Sequence, residues 1–218
     1  MNNSLKVILM TEAPVIQPVE MSLNSIWMLQ PDYRGIRLSL ESKGYTMKQQ
    51  FRGSQIIIAK KGTVEVFVNP ERRVLGVESE TSSKDLLIAS EDLEKSFTEV
   101  GMEPSNLLFV EFLGNYVLQS SASPLKKLSS LKIEGNLLAK IGAILEKEVA
   151  PLTLSLTAKD SNPASSNWLN LSIEPLYPSA NKSYVIRVVF RGPKTEVTDF
   201  VKSIEKRIPK IIEQIEGV

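Results

Sequence analysis

At 218 residues with 42% hydrophobic content, the chain holds one large domain or two small ones with a sizeable core. It has no histidine and no cysteine, which removes His-based triads, thiolate nucleophiles, Cys/His zinc sites and disulfides. Lys+Arg of 26 against Asp+Glu of 25 leaves a net charge of +1, whereas a dedicated nucleic-acid domain draws its affinity from many unbalanced cations.

Residues 5–13 read as a first strand ended by Pro14, and residues 17–31 are ambiguous. Pro31-Asp32 opens a helix carrying Ile36, Leu38 and Leu40, and Gly44 closes it as a glycine past a helix end does. Four short strands follow near 46–52, 54–60, 63–69 and 73–80, separated by the turn formers Gly53, Gly62 and Asn69-Pro70. A helix is predicted over 83–100, with Leu86, Leu87, Leu93, Phe97 and Val100 on one face and Gly101 at its end.

A strand near 106–119 starts the second half. Pro124 opens a short helix, and a second helix is predicted over 135–147. Three alternating strands come next, marked by Leu152, Leu154 and Leu156, by Leu169, Leu171 and Ile173, and by Tyr184, Ile186, Val188 and Phe190. Strict alternation leaves one face buried and the other wet or bound. Residues 160–166 are a loop by composition. The last helix starts near 194 and carries Val197, Val201, Ile204, Ile208, Ile211 and Ile215, with Pro209 expected to kink it. That stripe suits either packing on the sheet or a homodimer face on the C-terminal helix.

The expected fold class is α+β: two β-α-β(3-4)-α halves, antiparallel sheet with helices packed on one face. The first half, 1–103, is β-α-β4-α, and the second, 104–218, is a diverged β-αα-β3-α. The repeated order suggests an internal duplication.

No Gly-x-Gly and no phosphate-binding Gly-rich loop occurs. Ser-x-x-Lys occurs at Ser123/Lys126, Ser129/Lys132, Ser179/Lys182 and Ser203/Lys206, without the supporting motifs of Ser-Lys hydrolases, so these read as solvated pairs. Glu78/Glu80 and Glu91/Asp92 are acidic pairs on a strand end and a polar helix face; an all-oxygen cation site stays open, since its ligands meet only in the fold. No enzyme activity and no cofactor are expected. No apolar run approaches the ~20 residues of a membrane span, and Met1–Lys6 has no signal-peptide pattern, so a cytoplasmic location without a membrane partner is expected.

Three segments carry a family likeness: Gln50-Phe51-Arg52-Gly53, Thr63-Val64-Glu65-Val66-Phe67 and Glu80-Thr81-Ser82-Ser83-Lys84-Asp85. Over residues 5–101 the chain resembles one repeat of the TATA-binding-protein fold, which is also β-α-β-β-β-β-α. The resemblance implies that Phe51 and Phe67 match the phenylalanines that wedge between base steps. Lys60, Lys61, Arg72 and Arg73 would be the flanking cations. Glu65 shares a face with Phe67, where a carboxylate would repel phosphate, and the second half has no matching phenylalanine pair.

The expectation is therefore a non-enzymatic binding or adaptor protein that recognises a protein partner through an exposed sheet face. In the second half that face would present Thr153, Ser155, Thr157, Trp168, Asn170, Ser172, Arg187 and Arg191, a make-up suited to recognition. The alternatives are a nucleic-acid-binding protein using Phe51, Phe67, Lys60 and Arg72, and a carrier of an apolar small ligand between sheet and helices.

Overall fold

The computed structural model describes residues 15–133 and 135–217. The expected strand over 5–13 lies outside them. The first strand described is β1 (Ile16–Trp27), within the stretch whose sequence is ambiguous. Met21, Ser22, Leu23 and Asn24 are all buried there, so β1 shows no clean alternation. The reason is its place at the sheet centre, between two neighbours. Pro18 is accommodated where the register slips between Pro18 and Glu20.

The rest of the first half is α1 (Tyr33–Ser42), β2 (Thr46–Arg52), β3 (Gln55–Lys61), β4 (Val64–Asn69), β5 (Val74–Ser79) and α2 (Ser83–Glu99). Asp32 caps α1 by accepting from the Gly35 N–H, and Ser82 caps α2 by accepting from Asp85. Gly44 and Gly101 follow these helices with φ of +83° and +71°, where a Cβ would clash with the carbonyl. Within α1, Ile36 and Leu40 are buried but Leu38 is exposed, because it sits outside the apolar stripe.

The second half is β6 (Leu107–Gln119), α3 (Pro124–Ser129), α4 (Leu137–Leu145), β7 (Leu154–Thr157), β8 (Trp168–Pro175), β9 (Ser183–Gly192) and α5 (Lys194–Glu216). Helix α5 runs through Pro209 without interruption. Val197, Val201, Ile204, Ile208 and Ile212 are buried in the core, so its stripe serves packing on the sheet.

The nine strands of the described residues form one antiparallel sheet in the order β2-β3-β4-β5-β1-β6-β9-β8-β7. The halves meet along β1 and β6, whose ladder runs from Ile16↔Leu118 to Trp27↔Leu107. Each half places its last strand beside its first. The second half has three further strands where the first has four, so β7 is an edge without a counterpart to β2.

Helices α1, α2, α3 and α5 pack on one face, whereas α4, expected there too, buries none of its residues. Met21, Leu23, Val66, Val68, Leu75 and Val77 meet Ile36, Leu40, Leu86, Leu93 and Phe97 in the first half. Phe112, Tyr116, Ile186 and Val188 meet the stripe of α5 in the second. Trp27 stands edge-on to Phe97 at 4.9 Å and 80°. These side chains fill the layer in which an apolar ligand would have to sit.

Candidate recognition surface on the open sheet face

The sheet register decides which residues share the face away from the helices. One cross-strand row runs Phe67, Gly76, Asn24, Glu111, Arg191, Trp168, in unbroken pairing from β4 to β8. The next rows of the second half hold Leu113, Val189 and Asn170, and then Asn115, Arg187 and Ser172. Ser155 pairs with Ser172, and Thr157 with Asn170. Trp168, Asn170, Ser172, Arg187, Arg191, Ser155 and Thr157 thus stand together on one face, while Thr153 lies just outside β7.

Arg191 organises this group. Its guanidinium lies 5.2 Å from the Trp168 ring centroid and 5.7 Å from that of Phe109, within cation–π range of both. Its Nε donates to Glu111, and a terminal nitrogen donates to the Pro163 carbonyl at 2.6 Å, which holds the 160–166 loop beside the face. The Trp168 indole N–H donates to Thr157 Oγ1 at 3.0 Å. Trp168 is left half-buried, with a fixed ring. Arg187 is exposed and paired with Glu174 at 2.5 Å. Leu113, exposed, lies between the rows. Phe109, Glu111 and Leu113 escaped the sequence reading, because only the β6–β9 register brings β6 into line with Arg191 and Val189.

The first half differs. Phe51 pairs with Ile56, which pairs with Val68 on the helix side. Phe67 pairs with Gly76 on the open side. The two phenylalanines therefore lie on opposite faces, 68% and 1% exposed, and cannot act as a wedge pair. Separate strand predictions carry no register, and a one-residue difference flips a side chain. Phe67 covers Gly76, where an added Cβ would sit 2.5 Å from its ring and 2.7 Å from Asn24 Oδ1.

The expected flanking cations are dispersed. Lys60 reaches Glu65 at 3.3 Å on the open face. Lys61 is on the helix side, over the Tyr45 ring at 4.9 Å and against Asp92 at 3.3 Å. Arg72 is exposed in the β4–β5 turn, its N–H held by Asn69 at 3.1 Å, and Arg73 donates to the Met28 carbonyl at 2.5 Å.

Glu65 and Glu78 stand opposite each other on β4 and β5. Arg52 bridges them, at 2.9 Å to Glu65 and 2.7 Å to Glu78, and Lys48 lies 3.6 Å from Glu65. In a flat sheet Arg52 would sit ~13 Å along and ~10 Å across from Glu65, beyond the ~11 Å the two side chains span. Bulges between Met47 and Gln50 in β2 and between Ile57 and Ala59 in β3 bend the β2–β3 hairpin back over the face and close that gap. Burial pushes the Glu78 carboxyl up, and Arg52 offsets part of that rise while Glu20 and Glu65 add to it. Burial acts the same way on Glu65, but Lys60, Arg52 and Lys48 together hold it below the usual carboxylate range.

Charge on the face balances. Among the described strand residues the carboxylates are Glu20, Glu65, Glu78, Glu111 and Glu174; the cations Lys48, Arg52, Lys60, Arg187 and Arg191 reach the last four, and the Asn115 amide donates to Glu20.

Among the described residues none of the four Ser-x-x-Lys serines accepts a hydrogen bond from its own lysine's ammonium; Ser123 donates to Asn181, and Ser129 and Ser203 to backbone carbonyls. The Ser–Lys contact that does form is Ser39 with Lys43, at 2.7 Å, one helical turn apart on α1. Lys43 is also 2.7 Å from Glu99, and Ser39 contacts Ser96 at 2.8 Å. Hydrogen bonds from Lys43 and Ser39 draw the Glu99 carboxyl below its ordinary range. The group ties α1 to α2. Glu78 is taken by Arg52, Asp92 by Lys61, and no cluster of three or more carboxylates able to hold a metal occurs among the described residues.

No family model matches the chain, and no curated protein matches it. Among solved structures it is similar to the TBP of Methanococcus jannaschii, at 11% identity over 93% of this chain and 99% of that one, with a TM-score of 0.37. A superposition that loose transfers no residue role. The α+β architecture rests on the chain's own topology: β-α-β4-α followed by β-αα-β3-α in one antiparallel sheet. No helix of the described residues is long and apolar enough to cross a membrane.

Proposed function

We propose that this chain is a non-enzymatic binding module that recognises a protein partner through the open face of its second half. The observation that carries the reading is the Trp168–Arg191–Phe109 stack beside Leu113 and Val189, on a face whose charges cancel. A fixed aromatic with an arginine, next to apolar side chains and ringed by small polar ones, is the composition of a protein-binding hot spot. Its order lowers the entropy lost on binding. A nucleic acid would instead call for cations in excess of carboxylates, and here five cations stand against five carboxylates.

The test compares proteins retained by the immobilised chain with those retained by Trp168→Ala and Arg187→Ala, each checked for unchanged thermal unfolding. Loss of a specific partner in both variants supports the reading. A partner retained equally by wild type and both variants overturns it. Salt-sensitive retention on duplex DNA, lost in the same variants, would replace it with the nucleic-acid reading.

A further inference from the structure

The two edges of the sheet differ. The β2 edge carries Lys48 and Arg52, is bulged between Met47 and Gln50 and bends over the open face, all devices that keep an edge from pairing. The β7 edge has none of these. Residues 150–158 hold no charge, and the register against β8 is unbroken from Leu154↔Ile173 to Thr157↔Asn170. Thr153, Ser155, Leu156 and Thr157 are exposed. In the first half β2 covers the outer side of β3, whereas among the described residues no strand covers the outer side of β7. The Ala158 N–H donates to the Leu169 carbonyl at 3.2 Å. Bonded and unbonded residues alternate along an antiparallel ladder, so Leu154 and Leu156 turn their backbone groups to β8. Ser155 and Thr157 turn theirs outward, away from the sheet.

We infer that this edge pairs with β7 of a second copy of the chain, antiparallel, about a two-fold axis at Ser155. The sequence there is a palindrome, Thr153-Leu154-Ser155-Leu156-Thr157. In a two-fold contact every residue meets its reciprocal. Ser155 therefore faces Ser155 of the other copy, Leu154 faces its Leu156, and Thr153 faces its Thr157. The outward backbone groups of Thr153, Ser155 and Thr157 then form about six hydrogen bonds between the copies. The leucine pairs fall at the unbonded positions, where the strands bring side chains closest, and they extend the row of Ile173 and Leu171 on the helix side. The serine and threonine pairs lie on the open face, where like hydroxyls bond across strands. The strip is short: it buries roughly 350 Å² per chain and 700 Å² in all, the size of a weak, exchanging complex. A foreign strand would satisfy the same backbone groups but has no need of a palindrome. The chain's own residues 1–14 fit less well. Ile16 lies in line with Leu118, Tyr184 and Pro175, five strand spacings from the outer side of β7. Crossing that ~24 Å takes about seven extended residues, which cuts the expected strand over 5–13 short. The edge is separate from the Trp168–Arg191–Phe109 stack, so the inference does not rest on the proposed partner site.

Sedimentation velocity and disulfide trapping with the full chain test it. A species of 24.2 kDa at low concentration should give way to one of twice that mass, with a midpoint on the order of 100 µM. Ser155→Lys sets two ammonium groups opposite each other on the axis and should raise that midpoint at least tenfold. Its unfolding temperature should not change, because Ser155 is exposed. Arg187→Ala should leave the dimer intact. The chain has no cysteine, so a single introduced one reports on register. Ser155→Cys places the two sulfur-bearing residues ~5.5 Å apart between Cα atoms, within disulfide reach, and should cross-link on mild oxidation. Thr153→Cys lies ~13 Å from its own mate and should not. A single 24.2 kDa species up to roughly 500 µM overturns the inference. So does a dimer whose midpoint is unchanged in Ser155→Lys, or equal cross-linking of the two cysteine variants. A monomeric chain that retains a protein partner which Ser155→Lys loses overturns it in favour of a foreign strand on this edge.

Discussion

Replacing Arg52 with alanine removes the one group that bridges Glu65 and Glu78 and holds the β2–β3 hairpin over the open face. Glu78 is then left nearly buried beside Glu65 and Glu20 with no cation of its own, while Glu65 keeps Lys48 and Lys60. Breaking a fully buried pair costs about 3–5 kcal/mol, and a single charge-assisted hydrogen bond about 1.5–3 kcal/mol. The Arg52 side chain is 47% exposed, so solvent screens part of this and a loss of about 2 kcal/mol at pH 7 is expected. For a chain of this length that lowers the melting temperature by roughly 4–8 °C. The folded pKa of Glu78 is raised already, and losing Arg52 raises it further. A carboxyl of that kind penalises the folded state above its unfolded pKa, and the penalty fades as pH falls through the folded pKa. The deficit of Arg52→Ala should therefore shrink between pH 7 and pH ~5. Glu78→Gln in the same background should recover most of it. Urea unfolding at the two pH values, on the single and double variants, measures both effects. A deficit below ~0.5 kcal/mol, or one equal at both pH values, would refute the view that Arg52 neutralises Glu78.

Gly76→Ala should destabilise the fold by about 1–3 kcal/mol, because its Cβ would meet the Phe67 ring and Asn24 at under 3 Å; guanidinium denaturation reads this, and Phe67→Leu in the same background should relieve part of it. Ser39→Ala removes a buried hydroxyl shared by Ser96, Lys43 and Glu99 and should cost about 1–2 kcal/mol, read by thermal melting, with Ser39→Thr unable to restore it if the α1–α2 approach is as tight as the 2.8 Å Ser39–Ser96 contact shows. Arg191→Lys keeps the charge but loses the planar stack, so the fluorescence of Trp168 should change while the melting temperature moves by less than ~3 °C; an unchanged spectrum would argue against the stack.

Most of the elements were legible because their signals are local. Turn formers marked β2 to β5, period-two alternation marked β7 to β9, and Asp32, Gly44 and Gly101 marked helix ends whose capping is a matter of a few neighbouring residues. The open-face set Trp168, Asn170, Ser172, Arg187 and Arg191 was likewise fixed by alternation within two strands. What depends on pairing between strands was not. The ambiguity of β1 follows from its burial on both faces, which is a property of its neighbours β5 and β6. That Phe51 and Phe67 oppose each other depends on register across two hairpins.

Composition and alternation by themselves determined the α+β class, the repeated element order and the chemistries the chain lacks. Tertiary structure alone decided that Arg191 stacks between Trp168 and Phe109, that Arg52 closes over Glu65 and Glu78, and that the stripe of α5 is core while α4 is bare. The physical reason is the same in each case. Backbone propensity and side-chain period act within a few residues, whereas contact between residues on different strands, from Arg52 and Glu65 13 positions apart to Glu111 and Arg191 80 apart, exists only once strand register and sheet curvature bring them together.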